Sequence, residues 1–123
     1  MTITQKRLLG DNGEDAVVAW LIKNAFIILA RNYRTRMGEI DVIAQKDEVV
    51  AFIEVKTRAS NYFPISNTVS YTKQKRIIKA AMYFVMHNKI RNKILRFDVA
   101  TVTKDLFLEY NVTMIENAFT VSY

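Results

Sequence analysis

The sequence predicts an α/β or α+β domain, a mixed sheet flanked by helices, in the order helix, three strands, helix, one or more strands. Three observations carry this reading. Apolar residues recur at helical spacing in two separate stretches, one early in the chain and one past its middle. Short β-branched runs fill the interval between them. A further β-branched run follows the second stretch, which makes that helix a crossover between parallel strands. With 123 residues, 50% of them apolar, three glycines and one proline, the chain reads as one domain spanning residues 1–123.

The first helix carries Val17, Trp20, Leu21 and Ala25 on one side, and Asp11 or Asn12 can cap it. Glu14 and Asp15 then fall in its first turn, where the dipole favours acids. Phe26–Tyr33 is short and apolar, a buried strand. Gly38–Gln45 and Val49–Arg58 are two more, joined through Lys46, Asp47 and Glu48. Residues 59–68 form a loop punctuated by Ser60, Asn61, Pro64, Ser66 and Asn67. The second helix runs from about Ser70 to His87, with Ile77, Ile78, Ala81, Met82 and Val85 on its apolar side and the Met82–Met86 pair in the core. Leu95–Val102 is the fourth strand, and Leu106–Val112 and Met114–Phe119 are weaker candidates.

Composition narrows the function. The chain has no cysteine, so disulfides, thiolate zinc sites and thiol nucleophiles are excluded, and a cytoplasmic location is expected. Met1–Arg7 is too polar for a signal peptide, and no apolar run approaches the ~18 residues of a membrane span. A single histidine, His87, leaves neither a catalytic triad nor a histidine-rich metal site. The net charge of +6 is unevenly spread. No acid occurs between Val55 and Phe97, a stretch that carries +10, while the remainder carries −4. Such a basic half points to a polyanion such as nucleic acid. Lys73, Lys75, Arg76 and Lys79 crowd the first half of the second helix, where they oppose its dipole, so local stability does not explain them.

The acids that matter lie on the hairpin. If Asp47–Glu48 is a two-residue turn, residues whose numbers sum to 95 lie opposite one another, which sets Asp41 against Glu54 and Glu39 against Lys56. Strand alternation puts Glu39 and Asp41 on one face, away from Ile40 and Val42, and puts Glu54, Lys56 and Arg58 together. Two opposed carboxylates repel, so a cation belongs between them: Lys56, or a hard divalent ion such as Mg²⁺. A metal there would activate water beside a phosphate, with Lys56 orienting the water or offsetting developing charge. A simple Glu39–Lys56 ion pair beside solvated acids accounts for the same residues, and the residues alone leave both readings open.

Gly38-Glu39-Ile40-Asp41-Val42-Ile43-Ala44 and Phe52-Ile53-Glu54-Val55-Lys56-Thr57-Arg58 resemble the YraN-like family of predicted endonucleases. That family is a branch of the restriction-endonuclease-like superfamily, similar to archaeal Holliday-junction resolvases. The resemblance covers nearly the whole chain: Gly10 with Gly13-Glu14, then Ile28–Arg34, Lys73 with Lys75 and Arg76, Arg96–Val99, and Asn117–Phe119. It implies a restriction-endonuclease-like αβββαβ core, with Asp41 and Glu54 as ligands of Mg²⁺ or Mn²⁺ and Lys56 as the catalytic lysine. Glu14 corresponds to the acid that often completes the metal site. One departure is that Ile40, not proline, precedes Asp41. The substrate implied is DNA, selected by structure rather than sequence, and resolvase-like relatives make a homodimer an expectation.

Several residues carry two readings. Glu14 also fits a capping box with Asp11. Arg34, Arg36 and Arg58 flank the hairpin as solvated charges or as phosphate contacts, and Lys73, Lys75, Arg76 and Lys79 extend that set. Tyr62, Phe63 and Tyr71 could stack on bases or pack over the loop. Asp98, on a core strand, is structural. The function that follows is metal-dependent endonuclease; the alternatives are a nucleic-acid-binding module without turnover and a plain interaction domain.

Overall fold

A computed structural model describes residues 3–58, 69–107 and 109–121, with side chains from Gly13 onward. The elements are α1 (Ile3–Lys23), β1 (Ile27–Arg34), β2 (Glu39–Lys46), β3 (Val49–Arg58), α2 (Tyr71–His87), β4 (Ile94–Lys104) and β5 (Tyr110–Phe119). The strands form one sheet in the order β1-β2-β3-β4-β5. β3 and β4 run parallel, and every other neighbouring pair is antiparallel. This is the αβββαβ core of a mixed sheet extended by β5, with α2 as the crossover that a parallel pair needs. No helix among the described residues is long and apolar enough to cross a membrane.

Alternation on the central strands sorts the core into two layers. Val50, Phe52, Phe97 and Val99 meet Ile77, Ala80, Ala81 and Phe84 of α2. Ala51, Ile53, Ala100 and Val102 meet Val17 and Leu21 of α1. Under α2, Phe52 stacks on Phe97 with centroids 5.5 Å apart, and Phe97 stacks on Phe119 at 5.2 Å. Such pairs add to the burial of the rings themselves. Strands β3 and β4 are buried on both faces, as parallel strands covered by helices must be.

Four expectations are corrected. Phe26–Tyr33 is not a buried strand: β1 lies at the sheet edge and its residues are exposed or half-buried. Asp11 and Asn12 do not cap α1, because the helix begins at Ile3 and passes through them; the capping-box reading of Glu14 goes with it. Leu106–Val112 and Met114–Phe119 are not separate strands. Asp105 accepts the backbone N–H groups of Phe107 and Glu109, at 2.8 and 3.0 Å, and makes a turn, after which Tyr110–Phe119 is one strand. Met82 packs against the core, but Met86 is 77% exposed and is not core. The predicted loop at 59–68, with Tyr62 and Phe63, lies outside the described residues.

Two close approaches fix the helices on the sheet. A Cβ on Gly13 would run into the Thr57 side chain, so this glycine lets α1 lie against the end of β3. A Cβ on Gly38 would stand 2.7 Å from the Arg76 carbonyl oxygen, so the β1–β2 turn nests directly on α2. Thr35 holds that turn, its hydroxyl accepting the Met37 and Gly38 N–H groups at 3.1 and 3.2 Å.

Candidate metal and nucleic-acid site

The hairpin register is as the two-residue turn requires. Lys46 pairs with Val49, Gln45 with Val50, Ala44 with Ala51, Ile43 with Phe52 and Val42 with Ile53. The ladder ends there, and the Asp41 carboxylate takes over: its Oδ2 accepts the Val55 N–H at 2.8 Å. Strict alternation fails at the same place. Ile40 joins the layer under α2 while Val42 joins the layer under α1, so the expectation that they share a face is overturned. A side chain that replaces a strand-to-strand hydrogen bond is the local reason. Asp41 is thereby tied to the backbone between Glu54 and Lys56.

Burial, then the charge of Glu54, push the Asp41 carboxyl to about 7, with Glu14 adding to the rise. The Val55 N–H and the Lys73 ammonium act in the opposite sense. Asp41 and Glu54 are therefore brought together as the sequence required, with Glu14 close enough to contribute to the field. Among the described residues no group of three or more His, Asp or Glu side chains is gathered to hold a metal. The donor set is the Asp41–Glu54 pair, which suits a hard cation that takes most of its ligands from water and phosphate.

One cation that meets Glu54 is Lys73, which the sequence assigns to phosphate instead. Lys73 on α2 donates to the Glu54 Oε1 and forms an ion pair with it. Burial acts to lower the Lys73 pKa, but the hydrogen bond and charge of Glu54, with Asp41 and Glu39, leave it raised. Ser70 sets the position, its hydroxyl accepting the Lys73 N–H at 3.2 Å. Lys56, on the same strand as Glu54, has its pKa lowered by burial and by Arg58. Glu39 forms an ion pair with Arg34 at 3.4 Å.

The predicted phosphate contacts divide between two surfaces. Arg34, Arg36, Lys73 and Arg76 line one groove of about 660 Å³ between the β1–β2 turn and α2, shared with Gly38 and Glu39. Lys75 and Lys79 face another hollow, between α2 and the end of β5, where the Lys75 ammonium lies 4.6 Å from the Tyr71 ring centroid. Arg58, at the end of β3, is exposed and donates to the Thr57 carbonyl at 3.1 Å. Asp98 is structural as expected. It is fully buried, held by the Arg96 guanidinium through bonds of 2.9–3.1 Å and by the Asn117 N–H at 2.8 Å.

Comparison with known proteins agrees with the resemblance in the motif blocks. A protein of Caldicellulosiruptor saccharolyticus is 40% identical over 116 residues, covering 93% of this chain and 98% of that one. One from Clostridium perfringens strain 13 is 41% identical over 115 residues, 92% and 94% of the two chains. One from Chloroherpeton thalassium is 45% identical over 97 residues, 78% and 75%. Each carries the name UPF0102 protein, and a family model described as "Uncharacterised protein family UPF0102" matches residues 13–102. The chain belongs to the UPF0102 (YraN-like) family.

Proposed function

We propose that the protein is a metal-dependent DNA endonuclease. The observation that carries the proposal is the coupling of Asp41 and Glu54, two partly or wholly buried acids whose mutual repulsion calls for a cation. Asp41 and Glu54 would hold Mg²⁺ or Mn²⁺, with Glu14 outside the pair and reinforcing its field. A bound divalent ion would lower the pKa of a water and offset charge on the scissile phosphate. The Val55 N–H keeps Asp41 in place. Lys56, its pKa lowered by burial, would orient the attacking water or meet the charge developing on phosphate. The groove of Arg34, Arg36 and Arg76 would grip the DNA backbone, contacts that carry no sequence information and favour selection by DNA structure.

The test is cleavage of nicked, branched and single-stranded DNA with Mg²⁺ or Mn²⁺. Asp41→Asn and Glu54→Gln should each lower the rate by roughly 10²-fold or more. Absence of cleavage on all three substrates, or full activity in both variants, defeats the proposal. The Lys73–Glu54 ion pair supports a second reading, a nucleic-acid-binding module in which lysine replaces the metal. In that case DNA binding would fall steeply with salt, and no Mn²⁺ would bind.

A further inference from the structure

We infer that the Lys73 ammonium is a tethered competitor for the cation position at Glu54, one that a divalent ion displaces and that then turns to phosphate in the groove. The inference rests on the metal-site reading of Asp41 and Glu54 and adds a regulator to it. It begins from an asymmetry in the ion pair: the Glu54 side chain is 9% exposed, whereas that of Lys73 is 52% exposed. The acid is buried on a core strand, but the ammonium is half-exposed and can rehydrate on leaving. It also has somewhere to go, because Lys73 lines the same groove as Arg34, Arg36 and Arg76.

The backbone beneath it is fixed. Ser70 caps the Lys73 N–H, and Gln74 donates to the Val69 carbonyl at 2.7 Å, so the movement is that of a four-carbon stem alone. A lysine suits this better than an arginine would, being a compact charge on a flexible chain without a planar fork to lock onto the carboxylate. An ammonium and a divalent ion on one carboxylate repel each other, and the low effective dielectric of a largely buried acid strengthens that repulsion. Occupation by one therefore disfavours the other. The position of Lys73 in the first turn of α2, against the helix dipole, also acquires a reason: its charge answers Glu54, not the helix.

Mn²⁺ titration calorimetry on the full chain tests this directly. Lys73→Gln should bind Mn²⁺ roughly five- to tenfold more tightly than wild type, the scale set by an ion pair with one exposed partner. Lys73→Arg, which keeps the charge and adds a fork that can lock onto the carboxylate, should bind Mn²⁺ no more tightly than wild type. A merely structural lysine would give the opposite sign for Lys73→Gln, weaker binding through a disturbed site. If wild type binds Mn²⁺ and Lys73→Gln binds it equally or less well, the competition is disproved while the metal site stands. If neither binds, and Glu54→Gln is no different, the metal-site reading fails and takes the inference with it. A second measurement checks the release. Affinity for labelled branched DNA should fall in Lys73→Gln with Ca²⁺ present but change little in EDTA, where wild-type Lys73 is held by Glu54; equal losses in both overturn the release.

Discussion

Glu54 and Asp98 are buried acids on adjacent parallel strands, yet the protein treats them in opposite ways. Asp98, toward α1, has a guanidinium on both oxygens and a backbone N–H besides. Glu54, toward α2, has another carboxylate beside it and pairs with the half-exposed Lys73, with the Lys56 charge also acting on it. The first arrangement fixes a strand pair. The second keeps two negative charges near each other in a place where a fold built for stability alone would have put apolar groups or a complete ion pair. Buried acids on neighbouring strands are thus satisfied unequally, and the inequality is what makes Glu54 the candidate site residue and Asp98 the structural one.

Four measurements sharpen or break that contrast. Asp98→Ala leaves the largely buried Arg96 with the exposed Glu116, 3.6 Å away, in place of its buried partner, and should cost about 3–5 kcal/mol in urea unfolding. A loss under 1 kcal/mol would remove the contrast. Asp41→Asn should do the reverse, because asparagine keeps an acceptor for the Val55 N–H and removes the repulsion. The Asp41 carboxyl titrates near 7 when folded and near 3.8 when unfolded, so the unfolded chain loses its proton first. Wild-type stability therefore falls as pH rises through that window, and the variant should be more stable by roughly 2 kcal/mol at pH 8, the gain fading toward pH 4. A gain independent of pH would contradict this assignment.

Glu54→Gln should cost less than about 1 kcal/mol in the metal-free protein, since Lys73 rehydrates and Asp41 is relieved. A cost like that of Asp98→Ala would make Glu54 a structural acid. The smallest effect concerns α2. Arg76→Ala should reduce the salt slope of DNA binding by about one ion, whereas Lys75→Ala, facing the other hollow, should change it less. Equal slopes would mean that both faces of the helix meet DNA.

The hairpin was legible because a two-residue turn ties register to arithmetic as far as Val42 and Ile53, which is enough to bring Asp41 near Glu54. The crossover and its parallel strand followed from periodicity. The start of α1 was not legible. Asp11 or Asn12 reads as a cap, yet the helix runs through both, and Gly13 answers to a contact with Thr57 some forty residues away. The break in alternation at Asp41 was hidden for a similar reason, since counting by two assumes an unbroken ladder. The Lys73 partnership depends on where α2 lands on the sheet, which nothing local to the helix encodes. Its wrong-way charge against the dipole was the one visible hint.

The bond from the Val55 N–H to Asp41 makes the strand itself a reporter. An amide proton shared with a carboxylate moves its nuclear magnetic resonance with the charge on that carboxylate. One backbone signal of one valine should therefore read the ionisation of the acid pair, the arrival of a divalent ion and the departure of the lysine, in a protein that need not turn over any substrate.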